Sequence, residues 1–598
     1  MPADRMRSYL IAALFLIQTT LLVNSATRHS PTYLEPAFLA SGIAHWEFGR
    51  FEPYRVNPPL VRMIAALPVI AVGYQADWSK FYEAPGARSE FHLGDAFVRA
   101  NGRGVIPLLY YARWACIPFN LVGAYFAYRW AKELYGPNAG LVAITLCVFE
   151  PNLLAHGGLI TADAACTALG ILAGYSFWRW LKRPTWIRAT IAGTSLGLAE
   201  LSKMSWLILF GLWPILWFLW RFLEPKKSEC AVPRDKPPTQ NDTAAITYTE
   251  SLSPSSVPEL VTCTSGQSIR QLVAIHLLAI YILNIGYAFD GTGIPLKDFH
   301  FVSRSLTGLE EPGQSGNRFQ NTLLGLIPMP VPAQYVLGFD SQKKDFEKFG
   351  FNSYLRGQWS DHGWWCYYLY GLLVKVPCGT WALFAFVLVS RMLKRQGTAP
   401  LRDELVLLLP ALALMTLVSS QTGFNAHLRY CFPALGLSLI LISQAGNSIA
   451  RSSPFVSLFV CAALVYSVAS SLSTYPNHFA YFNDFVGGPR NGHKHLLGSS
   501  LDWGQGLGEA IDWIKSHEPG SHVEFDMFSD TLAQILIGQK SEISPRGNVA
   551  KASTLILYSA DHYWGKDSPL NIRPKSAIGE EQMVKQFDSG LVLVRIKE

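Results

Sequence analysis

Two carboxylates and a set of scattered cations carry the chemistry this sequence offers. Glu35 stands in HSPTYLEPAFLASGIAHWEFGRFEPYRVNPPL, residues 29–60, directly after the apolar run from Tyr9 to Val23. The stretch is too polar to span a membrane and too aromatic to be an idle tether. It reads as a loop lying flat on the outer membrane face, roofing a cavity and pointing a carboxylate into it. Exposed carboxylates are also common on ordinary surface loops. Asp163 lies in HGGLITADAACTA, at the outer start of a span. A helix N-terminus there favours negative charge, and an Asp also serves there as a cap. Lys203 sits in AELSKMSW with Glu200 three residues earlier as a partner. A lysine at an outer junction runs against the positive-inside trend. Lys375, in LYGLLVKVPCG, falls about ten residues into an apolar run, where an ammonium is expensive unless it meets a polar cavity or an anion. His427, Arg429 and Tyr430 occur together in NAHLRYCFP. Several cations around one external cavity suit a phosphate or pyrophosphate group, though anionic lipid headgroups would take the same cations.

The elements that must position these groups are membrane spans. Of 598 residues, half are hydrophobic and 16% are charged, against about a quarter in average soluble chains. Apolar runs near the length of a bilayer crossing recur, so the expected fold is mainly α, a polytopic membrane protein with a small C-terminal α/β extramembrane domain. Eleven spans are expected, near 8–25, 108–130, 138–155, 164–181, 187–202, 204–222, 271–289, 365–390, 403–421, 428–446 and 454–472. With Arg5 and Arg7 cytoplasmic, the even-numbered spans end inside at RWAKELYG, RWLKRP, RFLEPKK and SRMLKRQ, all rich in Lys and Arg. The first span reads as uncleaved rather than as a signal peptide, because NSATRH lacks a clear cleavage site. Val61 to Gly73 is apolar but short, hence interfacial or re-entrant.

Residues 1–223 then form an N-terminal transmembrane half with its first external loop at 26–107. Residues 224–268, rich in Pro, Ser, Thr and Lys, are a disordered cytoplasmic linker whose Asn241 sequon falls on the wrong side for glycosylation. A second transmembrane half, 269–472, carries an external loop at 290–363. Residues 473–598 form the external α/β domain, with an amphipathic helix from Gly506 to Ser516 and strands at HVEFDMF, STLILYS and LVLVRI. The block 481–507 contains Asp502, Trp503 and Gln505, which read as braces of that domain against the membrane before they read as sugar contacts.

The net charge of +7 lies largely beside the spans and calls for no nucleic acid. The nine cysteines lack CxxC pairs and zinc-type spacing, and Cys116, Cys147, Cys431 and Cys461 fall in apolar runs as packing residues. No cofactor is implied and no transition-metal site is readable; the carboxylates would suit a divalent cation.

In order and placement, these pieces resemble the GT-C glycosyltransferases, in particular the protein O-mannosyltransferase and aminoarabinose-transferase-like group. The matching pieces are LEPAFLASG and NPPL in the first loop, TADAA, GLAELSK, YYLYGLLVKVP, HLRYCFP and YFN…LDWGQ, spread from residue 30 to about 510. The resemblance implies inverting transfer of a sugar from a polyprenyl-phosphate carrier to a protein, lipid or glycan acceptor at the outer face. The family's first loop usually carries an Asp-Glu pair; here the Glu is Glu35, but Leu34 stands at the Asp position. Asp163 matches the second acidic site. The resemblance thus makes Glu35 or Asp163 the base, and Lys203, Lys375, His427 and Arg429, with Tyr430 beside them, the phosphate contacts. Leu34 keeps open a degenerate relative that binds lipid-linked sugar, or organises partners, without turnover. A transporter would favour matched halves with broken spans, and no such repeat is seen. The C-terminal VRIKE lacks a retention signal, which fits a bacterial inner membrane with the site on its periplasmic side.

Overall fold

The computed structural model describes residues 3–223, 265–348, 353–393, 399–422, 425–526, 530–537, 555–565 and 581–596. Most of the expected linker, including Asn241, lies outside these residues, and Ser265 to Ser268 already belong to a helix. Helix α1 (Ala3–Arg28) leads into three helices of the first loop, α2 (Glu35–Phe48), α3 (Leu60–Val72) and α4 (Glu90–Asn101). A bundle follows: α5 (Val105–Tyr135), α6 (Pro137–Phe149), α7 (Pro151–Gly157), α8 (Ala162–Lys182), α9 (Trp186–Ser202), α10 (Ile208–Phe222) and α11 (Ser265–Gly286). The second long loop holds α12 (Arg304–Thr307), α13 (Ala333–Glu347) and a hairpin of β1 (Ser353–Leu355) and β2 (Gln358–Ser360). The bundle resumes with α14 (Tyr367–Lys375), α15 (Cys378–Met392), α16 (Leu401–Ser420), α17 (Phe432–Ile442), α18 (Ser448–Arg451) and α19 (Pro454–Leu472).

Every expected span is occupied by helix, and a smaller number qualify as crossings by length and apolar composition alone. Among the described residues, six helices are long and apolar enough to cross a membrane, or eight if each of two bent pairs is one span. The other three expected spans are α8, α9 and α16. Helix α8 is buried on almost every side, so it faces protein and can carry Asp163, Thr167 and Ser176. One bent pair is α6 with α7, turned by 57° at Pro151; the other is α14 with α15, turned by 111° at Pro377. Proline removes a backbone donor and crowds the preceding turn, which breaks a helix at such points. Lys375 therefore ends α14 at a corner instead of lying deep inside a straight span. Helix α3 runs for 13 residues and buries Val61, Arg62, Ala65, Ala66 and Val69 while exposing Leu67 and Val72, as a short non-spanning apolar helix would. Of the four cysteines expected to pack, Cys461 is exposed, because it lies on the outer face of the peripheral helix α19.

One contact sets how α8, α9 and α10 meet. The Trp206 ring lies directly on Gly170 of α8; a Cβ there would fall 1.7 Å from the indole. Its Nε1 donates to the Cys166 carbonyl at 2.8 Å. This seats the short turn Met204–Leu207 against α8 and carries the preceding Lys203 with it.

The C-terminal region has α20 (Leu507–His517), α21 (Asp530–Ile537), α22 (Ala560–Trp564) and strands β3 (Val523–Asp526), β4 (Leu555–Tyr558), β5 (Glu581–Gln586) and β6 (Val592–Ile596). The sheet order is β3-β4-β6-β5, with β3 and β4 parallel and the other pairs antiparallel. Leu507, Ile511 and Ile514 of α20 bury one helix face under it. Strand β5 was not expected, since EQMVKQ lacks clean apolar alternation. Asp561 accepts from the Gly498 amide at 2.5 Å, and burial, with Asp502 adding to it, pushes its carboxyl up from 3.8 to about 7.

Two outcomes follow from these contacts. Gly170→Ala forces the Trp206 ring away and lowers unfolding stability by about 1–3 kcal/mol, read by thermal unfolding in detergent. Asp561 holds a proton when folded that it releases when unfolded, so its contribution is complete below pH 3.8 and is lost as pH rises through about 7. Asp561→Asn is therefore expected to be more stable than wild type at pH 8, with the difference in unfolding temperature closing towards pH 4.

Candidate functional site

Glu35 opens α2 and is fully buried. Its carboxylate does not line a cavity. It meets the buried Arg113 of α5 in a fork, Nε to Oε1 at 2.8 Å and Nη2 to Oε2 at 2.5 Å. The Thr32 amide donates to Oε2 at 2.8 Å and the Ile160 amide to Oε1 at 3.3 Å. Arg113 spends its other donors on the carbonyls of Ala26, His29 and Ser30. Sequence reasoning missed Arg113. An arginine in YYARWACIP, inside an apolar run, was the available signal.

Asp163, Lys203, Arg429 and Tyr430 come together from three separate segments. Asp163 is the second residue of α8, and its side chain does not cap the helix. Its Oδ1 accepts from Lys203 Nζ at 2.5 Å, and Arg429 Nε lies 3.2 Å from Oδ2. Glu200 is not the partner of Lys203; it accepts from Tyr335 at 2.8 Å across the second long loop. Lys203 Nζ sits 4.5 Å from the Tyr430 ring centre, and the Arg429 guanidinium lies 4.2 Å from that of Trp503. Two cations against one carboxylate leave this cluster with surplus positive charge. His427 Nδ1 contacts Ser499 Oγ at 2.7 Å, and the same hydroxyl accepts from Arg429 Nη1. Lys375 stands apart from Asp163 but borders the same space as Arg429: both line a small cavity with Asn152, His156, Ser499 and Ser500. Its ammonium donates to the carbonyls of Phe479 at 2.6 Å and Ser500 at 2.5 Å.

The 481–507 block braces the site. Asp502 accepts from the Gly504 and Ala560 amides, at 2.9 and 3.0 Å, and burial raises its carboxyl above the usual range. The Gln505 side chain accepts from the Trp503 amide at 2.6 Å and donates to the Ser589 carbonyl at 3.1 Å. The backbone of this block pairs with the first loop: the Ser30 amide donates to Gln505 and the Tyr33 amide to Trp503. Trp503 alone of the three also faces the cation cluster. His29, at the end of α1, contacts Asn477 Oδ1 at 3.3 Å, and burial, with Arg113 adding to it, pushes its pKa down to about 4. His156, also missed in the sequence, packs against Phe479, Phe432 and Trp503 with ring centres 4.8, 5.1 and 6.1 Å away. Among the described residues, no three His, Cys, Asp or Glu side chains group so as to hold a metal ion.

Residues 110–228 match the family model of dolichyl-phosphate-mannose-protein mannosyltransferase. That segment contains Arg113, His156, Asp163 and Lys203. No curated protein matches the sequence. Among solved structures, ArnT from Cupriavidus metallidurans bound to undecaprenyl phosphate aligns at 12% identity over 99% of this chain and 98% of its own, with a TM-score of 0.43. The apo oligosaccharyltransferase of Archaeoglobus fulgidus aligns at 11% identity over 96% of this chain and 73% of its own, with a TM-score of 0.41. Likenesses of this size carry no residue's role across.

Removing either member of the Glu35–Arg113 pair leaves an uncompensated buried charge. Arg113→Met alone, and Glu35→Leu alone, are each expected to cost about 3–5 kcal/mol. The double variant is expected to lose less than the sum, a coupling measured by a double-mutant cycle of unfolding in detergent.

Proposed function

We propose that this chain is a membrane glycosyltransferase of the GT-C type, moving a sugar from a polyprenyl-phosphate carrier to an acceptor hydroxyl at the outer, periplasmic face of a bacterial inner membrane. The observation that carries this reading is the buried group of Asp163, Lys203 and Arg429, which gathers surplus positive charge beside a polar cavity. The family match over 110–228 contributes two further supports, since both Asp163 and Lys203 lie within it.

A lipid phosphate is already a good leaving group, and what it needs is charge stabilisation as its bond to the sugar breaks. Arg429 and Lys375, which line the cavity, supply that, with Lys203 joined to Arg429 through Asp163 and with His427 and Tyr430 packed at the Arg429 end. Asp163 keeps the two cations facing the site while it is empty and yields part of their charge to the phosphate when it enters. The acceptor hydroxyl attacks the anomeric carbon from the face opposite the phosphate, which inverts the configuration.

A second reading, binding of lipid-linked sugar without turnover, is favoured by Leu34 together with the engagement of Glu35 by Arg113, which commits the loop's conspicuous acid to structure. One experiment separates the two. Purified protein in detergent is given a panel of radiolabelled polyprenyl-phosphate sugars with acceptor extracts. Turnover by wild type, with a loss of roughly 10²–10³-fold in Lys203→Ala or Arg429→Ala, is the expected result. Donor binding without turnover across the panel would replace the enzyme reading with the binding one.

A further inference from the structure

Sugar transfer to a hydroxyl releases a proton, and something at the site must take it. Both carboxylates that the sequence offered as the base are engaged. Glu35 is locked in the fork of Arg113 and lies outside the cavity. Asp163 is held by Lys203 on one oxygen and Arg429 on the other. Apart from two histidines, the remaining polar groups around the cavity are also committed. Lys375 donates to two carbonyls, Asn152 donates to Glu150 and to the Lys375 carbonyl, and Ser499 is shared by His427 and Arg429.

His156 is different. Only 4% of it is exposed, it lines the cavity, and its Nδ1 is buried without a hydrogen-bond partner. A buried ring nitrogen in a polar cavity is costly to leave unmet, and an orphan of this kind calls for an explanation. The ring is held by Phe432, Phe479 and Trp503, so its direction is set by packing. The charged groups acting on it are Asp163 of α8, Arg429 before α17, Lys375 at the end of α14 and Lys203 after α9. His478 lines the same cavity and both its ring nitrogens are likewise without a partner, but the ionisable group acting on it is His29 rather than Asp163, Arg429, Lys375 and Lys203.

We propose that His156 is the general base of the transfer described above, its Nδ1 taking the proton from the acceptor hydroxyl. This rests on the glycosyltransferase reading. The acceptor O–H bond breaks as its oxygen bonds to the anomeric carbon, and the bond from that carbon to the phosphate oxygen breaks with its electron pair leaving on the phosphate. The proton passes to Nδ1 and then to the released phosphate monoester, which is more basic than the diester it came from. Charge is conserved: a monoanionic donor becomes a singly protonated, monoanionic lipid phosphate. The field favours this order. The phosphate that enters with the donor offsets the surrounding cations at the moment the ring becomes charged.

The test uses the full-length protein, the sugar-donor panel, and undecaprenyl phosphate as a binding probe. His156→Asn keeps polar atoms close to the position of Nδ1 but cannot act as a base. The expected result is a fall in kcat of roughly 10²–10⁴-fold with binding of the probe unchanged. His156→Gly, which opens a ring-sized space, should regain transfer when imidazole is added, with a rate that follows the neutral imidazole fraction as pH is varied. Wild-type activity with His156→Asn within about threefold of it, or no imidazole rescue of a folded His156→Gly, overturns the assignment and leaves the transferase reading standing. Absence of turnover by wild type with any donor removes the transferase reading itself, and the assignment with it. Should His156→Asn fail to fold, imidazole rescue of the glycine variant decides the matter.

Discussion

The arrangement of the reacting end depends on one buried arginine. Arg113 has five N–H donors, and all five are used within hydrogen-bond distance: two on Glu35 and three on the carbonyls of Ala26, His29 and Ser30. Such a charge is tolerated in an apolar bundle only when every donor is met and a counter-charge is present. Meeting those demands joins the end of α1, the start of α2 and the third turn of α5. The Glu35 carboxylate extends the junction to the Ile160 amide, three residues before Asp163. The first loop is therefore not laid over the bundle as a separate cover. It is tied to the turn that lies between His156 and Asp163.

Beside this saturated pair lies one that is not saturated. Asp163 faces two cations, and Lys375 brings a third to the neighbouring cavity. The two differ in charge balance: the first pair is neutral, and the second group carries an excess of positive charge. Packing determines which is which. Trp206 on Gly170 carries Lys203 to Asp163, while the corner at Pro377 brings Lys375 out of the bundle and onto the carbonyls of Phe479 and Ser500.

Much of this was legible in the residues. The apolar runs located the helices, since bilayer length imposes a strong constraint, and an amphipathic stretch with short strand patterns after the last run marked the C-terminal α/β region. Asp163, Lys203, Arg429 and Tyr430 stood out as polar groups at span ends, and the structure brings them together. Three features escaped. The sequence did not show that α8, one of the expected spans, is covered by protein on almost every side. Lys203 was paired with Glu200 by sequence distance alone, although the chain turns between them and sends Glu200 to Tyr335. Arg113 was marked only by its place inside an apolar run, and His156 gave no pattern, because their partners are far away in sequence and periodicity carries no information about such contacts.

The pairing of the first loop with the 481–507 block also governs when the site can exist. The amide of Gly508 donates to the Ser30 hydroxyl at 2.7 Å, across 478 residues of chain. At ribosomal speeds of about 5–20 residues per second, Ser30 waits roughly half a minute to a minute and a half for its partner. During that interval the helices can insert one after another and Arg113 can engage Glu35, but the loop lacks its C-terminal partners and Trp503 has not yet been made. The last segment translated thus acts as a latch, and no half-made copy in the membrane carries a finished site.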